Sequence, residues 1–187
     1  SRFRSALVVG CGASGLAAAQ LLAAAGVSVR LYDRKRPDLP EDLADATGYF
    51  GKEDMAPDEA FADLDLLVLS PGVPPGPWRA RHRELVPEAG IHGELSLAMS
   101  LLSGRELPTV LVTGTNGKST VTALTGALLE AGGLAPFVGG NLGVPLCRHL
   151  LAVARGEVAM PGALVIECSS YQLETLRPAP DAPATTV

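Results

Sequence analysis

Apolar positions fall in short runs separated by glycine-rich stretches, and the period of the pattern changes in a regular order. Ala6–Val9 is a compact apolar run, followed by an Ala- and Leu-rich helical segment to about Ala25 that Gly26 stops. Val27–Tyr32 alternates and is rich in β-formers, which predicts a strand. Strand, helix and strand inside about 30 residues predict a βαβ unit on a parallel sheet. Residues 34–62 are rich in Pro, Asp and Gly and give no assignable period. Asp65–Leu69 predicts a further strand, closed by Ser70-Pro71-Gly72. A helix through Trp78–Leu85 follows, then one over 94–102 with Leu95, Met99 and Leu102 on one side.

The same order then begins again. Thr109–Val112 predicts a strand and Lys118 to about Ala131 a helix, with Val121, Leu124, Leu128 and Leu129 on the side expected to face a core. Gly132-Gly133 ends that helix; Pro136–Val138 predicts a strand, Pro145–Ala154 a helix and Ala163–Cys168 a strand. The polar stretch Ser103–Pro108 separates the two patterns and is the predicted boundary. The fold class is therefore α/β, with parallel sheets. Both halves place a glycine-rich loop at the C-terminal end of their first strand, where sheets of this kind bind ligands. No period of 20–50 residues recurs, which excludes a solenoid.

Composition narrows the partners. The net charge is −5 with no basic run, so a nucleic-acid partner is not expected, and an anionic ligand must be held by backbone N–H groups and one or two cations. No apolar stretch reaches the roughly 18 residues of a membrane span, and no secretory leader is evident. Cys11, Cys147 and Cys168 form no C-x-x-C pair and sit in or beside apolar runs, which predicts reduced, buried thiols. His82, His92 and His149 do not cluster with them as zinc ligands would. A cytoplasmic monomer is the expectation. The start at Ser1 and the β-rich ending Ala184–Val187 point to a piece of a longer chain.

Gly10-Cys11-Gly12-Ala13-Ser14-Gly15 is a G-x-G-x-x-G loop between a predicted strand and helix, with Asp33 at the end of the next strand. The first glycine permits the tight turn, the second lets backbone approach a pyrophosphate, and the third lets helix and strand close up. By itself the loop suits a dinucleotide cofactor, another nucleotide, or a structural turn. Asp33 suits a ribose hydroxyl or a cap on the following turn.

Thr113-Gly114-Thr115-Asn116-Gly117-Lys118-Ser119-Thr120 follows a strand and opens a helix. Backbone N–H groups there would cradle phosphates, Lys118 would neutralise them, and the Ser119 hydroxyl would reach Mg²⁺. The full P-loop pattern asks for glycine five residues before Gly117, where Val112 stands. A nicotinamide dehydrogenase has no use for such a loop, so its presence demotes the NAD reading of the first one. Glu167, at a strand end, suits a Mg²⁺ ligand or an exposed strand-end carboxylate, and Asn141 between glycines reads as a turn residue.

The segment Gly114–Thr120 resembles the ATP loop of the Mur ligase and folylpolyglutamate synthetase superfamily, which shortens the P-loop pattern in this way. Gly10–Gly15, Ser70-Pro71-Gly72-Val73, Gly93-Glu94-Leu95, Gly139-Gly140-Asn141-Leu142-Gly143 and Glu167-Cys168-Ser169-Ser170-Tyr171-Gln172-Leu173-Glu174 agree with the Mur ligases in order and spacing. The last is most similar to the branch that adds D-glutamate to UDP-N-acetylmuramoyl-L-alanine.

The resemblance implies a Rossmann-like UDP-substrate domain over 1–104 and the first part of a P-loop ATP-binding domain over 105–187. It implies that Gly12, Ala13, Ser14 and Gly15 meet the diphosphate, that Asp33 and Arg34 lie near the uridine, and that Gly72 lines the same cleft. Gly114, Thr115, Asn116, Gly117, Lys118, Ser119 and Thr120 would bind ATP, Ser119 and Glu167 would bind Mg²⁺, and Asn141, Ser169 and Gln172 would lie near the substrate. Lys118 and Glu167 would carry the catalysis, an ATP-driven amide ligation through an acyl phosphate.

The family's later N-x-x-x-D-H-x-D segment, its carbamylated lysine and its third domain do not occur in these 187 residues, and no lysine follows Lys118. The chain alone is therefore expected to be inactive as a ligase. The competing expectations are a sister ligase such as folylpolyglutamate synthetase, an NAD-binding oxidoreductase or sensor module, and a fragment that only binds a UDP-sugar.

Overall fold

A computed structural model describes residues 3–51, 55–141 and 143–176. The first half builds β1 (Ser5–Val9), α1 (Ala13–Ala24), β2 (Ser28–Asp33), β3 (Thr47–Phe50), β4 (Leu66–Leu69), α2 (Pro75–Leu85), β5 (Gly90–Gly93) and α3 (Glu94–Leu101). Its strands form one parallel sheet in the order β3-β2-β1-β4-β5. Strand order reverses between β1 and β4, so the two loops that leave their C-terminal ends diverge and open a crevice. Those loops are Gly10–Gly15 and Ser70–Gly72. β1 and β4 are buried on both faces, as their unbroken apolar runs require.

The second half builds β6 (Thr109–Val112), α4 (Lys118–Ala131), β7 (Pro136–Gly140), α5 (Leu146–Ala154), β8 (Ala163–Glu167) and α6 (Ser170–Thr175). These strands are also parallel, in the order β6-β8-β7. β6 and β8 are neighbours with Val112 opposite Glu167, which sets the carboxylate beside the start of the P-loop.

The two halves share a core. α5 is buried through Leu146, Cys147, Leu150 and Leu151, packed against α1 and α3 of the first half. α1 is therefore covered by the sheet on one side and α5 on the other, and Ala17, Ala18, Ala19, Leu21 and Leu22 are all buried. A polar clasp closes the rim of this contact. Gln20 Nε2 donates to Asp42 Oδ1 at 2.8 Å, Arg148 donates to Gln20 Oε1 at 3.1 Å, and Arg155 donates to Asp42 at 2.5 Å.

Three expectations need correction. Residues 34–62, which offered no period, contain edge strand β3 and the 3-10 turns Glu41–Leu43 and Asp58–Phe61. β5 was missed: four residues rich in glycine carry too little pattern. The apolar stripe of α4 does not face the core. Val121, Leu124 and Leu128 are 50%, 60% and 65% exposed, while Thr122 and Gly126 point inward. A Cβ on Gly126 would stand 2.5 Å from the Val138 side chain, so α4 lies too close to the sheet for its large side chains to be the ones that face it. The segment Ala184–Val187, expected to begin a strand, lies outside the described residues.

Candidate nucleotide and substrate site

The first glycine loop is shaped by its neighbours. Gly10 has φ +87°, and its carbonyl accepts from Ser70 Oγ at 2.6 Å, which ties the loop after β1 to the loop after β4. A Cβ on Gly15 would lie 1.8 Å from the Gly10 carbonyl oxygen, so only glycine lets α1 start there. Above Gly12 there is open space, and no side chain caps α1. The first-turn N–H groups therefore face the crevice with the helix dipole behind them, a ready seat for an anion. Ala13 is exposed and Ser14 half-buried at that position.

Asp33 is occupied within the loop system. Its Oδ2 accepts from the Cys11 N–H at 2.6 Å and its Oδ1 from the Lys35 N–H at 3.0 Å. The carboxylate thus braces the glycine loop and caps the next turn, and its remaining lone pairs are what a ligand could use. Arg34 stands exposed beside it. Gly72 has φ +90° and open space above it, at the other lip of the crevice. Cys11 is no nucleophile: burial, then the Asp33 charge, pushes its thiol up to about 12.

The second loop has the backbone of an anion cradle. Gly114 has φ +141° and Gly117 has φ +78°, the left-handed conformation from which α4 begins, and no side chain caps that helix. A cleft of about 280 Å³ is lined by Thr115, Asn116, Gly117, Lys118, Ser119, Thr120, Asn141 and Glu167. Lys118 Nζ donates to the carbonyls of Gly114 at 2.9 Å and Thr115 at 3.4 Å, folded over the loop.

Asn141 reaches this cleft because β7 ends against β8. Its N–H donates to the Glu167 carbonyl at 2.8 Å, and Gly140 must be glycine because a Cβ would stand 2.4 Å from that same carbonyl oxygen. Glu167 is 2% exposed and its Oε1 has no hydrogen-bond partner among the described residues. A buried carboxylate oxygen without a donor is costly, and a hard cation satisfies it. With the Ser119 hydroxyl on the same wall, the donor set suits Mg²⁺ beside a polyphosphate. Burial, reinforced by the Glu167 charge, pushes Cys168 up to about 11, which leaves it an inert thiol.

Ser169 and Gln172 form a capping box on α6. Gln172 N–H donates to Ser169 Oγ at 3.2 Å, and Gln172 Oε1 accepts from the Ser169 N–H at 2.9 Å. Gln172 also lines a hollow of about 20 Å³ with Ser70, Pro71, Gly72 and Glu94. The structure thus gathers residues 115–120, Asn141 and Glu167 in one cleft, and Gly72 with Gln172 in a second hollow nearer the first loop. Asp33 and Arg34 lie at the end of β2.

Two residues to which the sequence assigned no role matter here, although both lie in segments quoted for the resemblance, Ser70–Val73 and Gly93–Leu95. Ser70 is the brace between the loops. Glu94 is 1% exposed, and its Oε1 accepts from the Cys147 N–H at 2.7 Å in the first turn of α5. Burial raises the Glu94 pKa, and the Cys147 N–H partly offsets this.

A larger hollow, about 520 Å³, lies elsewhere, between α4, β7 and residues 159–161. Its wall is mainly alanine, proline and aliphatic carbon and carries neither glycine loop, so it offers no phosphate seat. Among the described residues no helix is long and apolar enough to cross a membrane, and no group of three His, Cys, Asp or Glu could hold a metal.

Residues 4–79 match the family model described as Mur ligase MurD-like, N-terminal domain. The UDP-N-acetylmuramoylalanine--D-glutamate ligase of Nitratidesulfovibrio vulgaris (strain DP4) is 42% identical over 176 residues, covering 91% of this chain and 38% of that protein. The enzyme of the same name from Anaeromyxobacter dehalogenans (strain 2CP-C) is 47% identical over 175 residues, covering 89% of this chain and 35% of that protein. The chain therefore spans less than two-fifths of the length of either relative. Among solved structures, a UDP-N-acetylmuramate:L-alanyl-gamma-D-glutamyl-meso-diaminopimelate ligase from Neisseria meningitides superposes with a TM-score of 0.50 at 21% identity, over 90% of this chain and 53% of that one. That likeness bears on the fold alone.

Proposed function

The chain belongs to the Mur ligase family, with a MurD-like first domain, and on that premise we propose that the whole protein adds D-glutamate to UDP-N-acetylmuramoyl-L-alanine with ATP. In this reading residues 1–104 hold the UDP-linked substrate and residues 105–187 begin the ATP-binding domain. The observation that carries it is the pairing of two anion seats in one body. An uncapped glycine loop lies at the switch point of the first sheet, and a P-loop cleft contains the unpartnered Glu167 oxygen. An oxidoreductase has no use for the second seat, and a general nucleotide binder has no use for the first.

The chemistry requires a substrate carboxylate to approach a polyphosphate, and like charges oppose that approach. Lys118 would leave the Gly114 and Thr115 carbonyls for phosphate oxygens, and the α4 N-terminus would add its dipole. Ser119 and Glu167 would hold Mg²⁺, which supplies charge neutralisation on the phosphates. Glycine-loop N–H groups and Gly72 would fix the UDP end, so that the distant carboxylate arrives at the phosphoryl group in one orientation. The acyl phosphate formed is then open to attack by the amine of D-glutamate, with phosphate leaving.

The reaction is tested on the full-length enzyme by following ADP release. Release that needs both UDP-N-acetylmuramoyl-L-alanine and D-glutamate is expected. Release unchanged when either is omitted overturns the assignment. The 187-residue chain alone should release none.

A further inference from the structure

α5 does not cap itself. Its N-cap is Pro145, which has no side-chain acceptor, and its first turn carries no acidic residue. The N–H groups of that turn have no partner within the helix, and Cys147 is fully buried there, so its N–H needs an acceptor from elsewhere. The acceptor comes from the other half of the molecule. It is Oε1 of Glu94, the first residue of α3, at 2.7 Å. A carboxylate in this place also gains from the α5 dipole. The Cys147 thiol returns a second bond, donating to the Glu94 carbonyl at 3.5 Å. One buried residue pair thus joins the starts of α3 and α5 twice.

On the α5 side the pair leads to the P-loop cleft. Cys147 lies two residues after Pro145. Just before Pro145, the Val144 carbonyl accepts from the Gly140 N–H at 3.0 Å, which closes the turn that carries Asn141. The inner side of that turn is held by the Asn141 N–H, which donates to the Glu167 carbonyl at 2.8 Å. Its outer side is held where α5 begins. Asn141 lines the same cleft as Lys118, Ser119 and Glu167. On the α3 side, Glu94 follows directly on Gly93, which stands opposite Leu69 in the first sheet. The outer anchor of the Asn141 turn is therefore fixed to the sheet of the first half, and Glu94 is the side chain that fixes it.

We propose that Glu94 is a positioning residue for the ligation: by capping α5 from the first half, it sets where Asn141 stands in the P-loop cleft. The proposal rests on the ligase reading above. Glu94 acts through the backbone of α5 and not on a reacting atom. Its loss lets the Asn141 turn shift, and a small misplacement of a group that lines a phosphoryl-transfer cleft lowers turnover.

The test uses steady-state ADP release by the full-length enzyme with both substrates present. Glu94→Ala should lower kcat by about ten- to a hundredfold and leave the KM for UDP-N-acetylmuramoyl-L-alanine unchanged. Glu94→Gln, which keeps an oxygen for the Cys147 N–H, should recover most of that loss. Asn141→Ala should lower kcat at least as far as Glu94→Ala. The double variant should be no slower than Asn141→Ala alone, because one residue acts through the other. Where Glu94→Ala does not fold, Glu94→Met, which keeps the volume and removes the acceptor, takes its place in both comparisons. Losses that multiply in the double variant overturn the proposal, since Glu94 then acts independently of Asn141. So does a wild-type kcat in Glu94→Ala or in Asn141→Ala, even with a lowered melting temperature, which is the signature of a structural role alone. A raised KM with kcat unchanged overturns it too, as does a Glu94→Gln enzyme as slow as Glu94→Ala. Wild-type ADP release that does not need both substrates overturns instead the ligase reading, and the positioning role with it.

Discussion

Lys118 has a single role in this account, and its present partners make that role testable. Its ammonium rests on two carbonyls of its own loop, those of Gly114 and Thr115. In the full-length enzyme, Lys118→Ala should lower turnover by about 10²–10³-fold, the usual scale for removing one charge-stabilising donor, while leaving the affinity for UDP-N-acetylmuramoyl-L-alanine intact. Steady-state kinetics paired with a substrate titration checks this, and a comparable loss of substrate affinity would show that the two seats have been confused. Asp65 makes a different kind of prediction. Its carboxylate accepts from the N–H groups of Arg4 at 2.8 Å and Ser5 at 3.1 Å, and those bonds, with the Arg4 charge, hold its pKa below the ordinary 3.8. A lowered folded-state pKa gives stability that is present above 3.8 and lost as pH falls through the folded value. Asp65→Asn should therefore flatten the acid limb of a melting-temperature profile and leave its slope near neutrality unchanged.

Elements show where sequence was sufficient and where it was not. β1, α1, β2, β4, β6, α4 and β8 were legible because each is a compact apolar run, an alternating strand or a long helical period. β3 and β5 were not, because a four-residue edge strand with glycines buries too little to leave a pattern. The location of α4 was legible but its facing was not. Periodicity gives the apolar stripe, yet which side meets the sheet is decided by how close the helix comes, and Gly126 lets it come closest on the small-residue side. Both glycine loops were readable as ligand seats. The cap that Asp33 places on the turn at Lys35 was among the readings its position offered, whereas its bond to the Cys11 N–H and the bond of Glu94 to the Cys147 N–H join segments far apart in the chain, which no local pattern encodes. At this scale Gly15→Ala should cost over about 2 kcal/mol, since its Cβ meets backbone that cannot yield. Urea unfolding reads this directly, and an unchanged midpoint would mean that α1 can shift away from Gly10.

For the molecule as a whole, α5 joins what the sequence divides at residue 104. Leu151 is 1% exposed and packs into the core shared with α1 and α3. Leu151→Ala should cost about 2–5 kcal/mol and should loosen α1 as well as α5. Hydrogen exchange would show this as lost protection at Leu21 and Leu22; loss confined to α5 would mean the halves fold apart. The opposite face carries exposed apolar side chains. Val110 and Leu111 on edge strand β6 are each 39% exposed, next to the exposed stripe of α4. Uncovered apolar surface beside an open sheet edge favours association. The isolated chain should bind a hydrophobic dye and show a sedimentation coefficient that rises with concentration.

The claim on which the rest depends is that the first glycine loop holds a UDP-linked ligand and not a nicotinamide dinucleotide. Calorimetric titration of this chain with UDP-N-acetylmuramoyl-L-alanine, with NADH as the paired control, tests it most directly. The account predicts a saturable heat for the UDP compound and none for NADH; saturable binding of NADH with none for the UDP compound would contradict it.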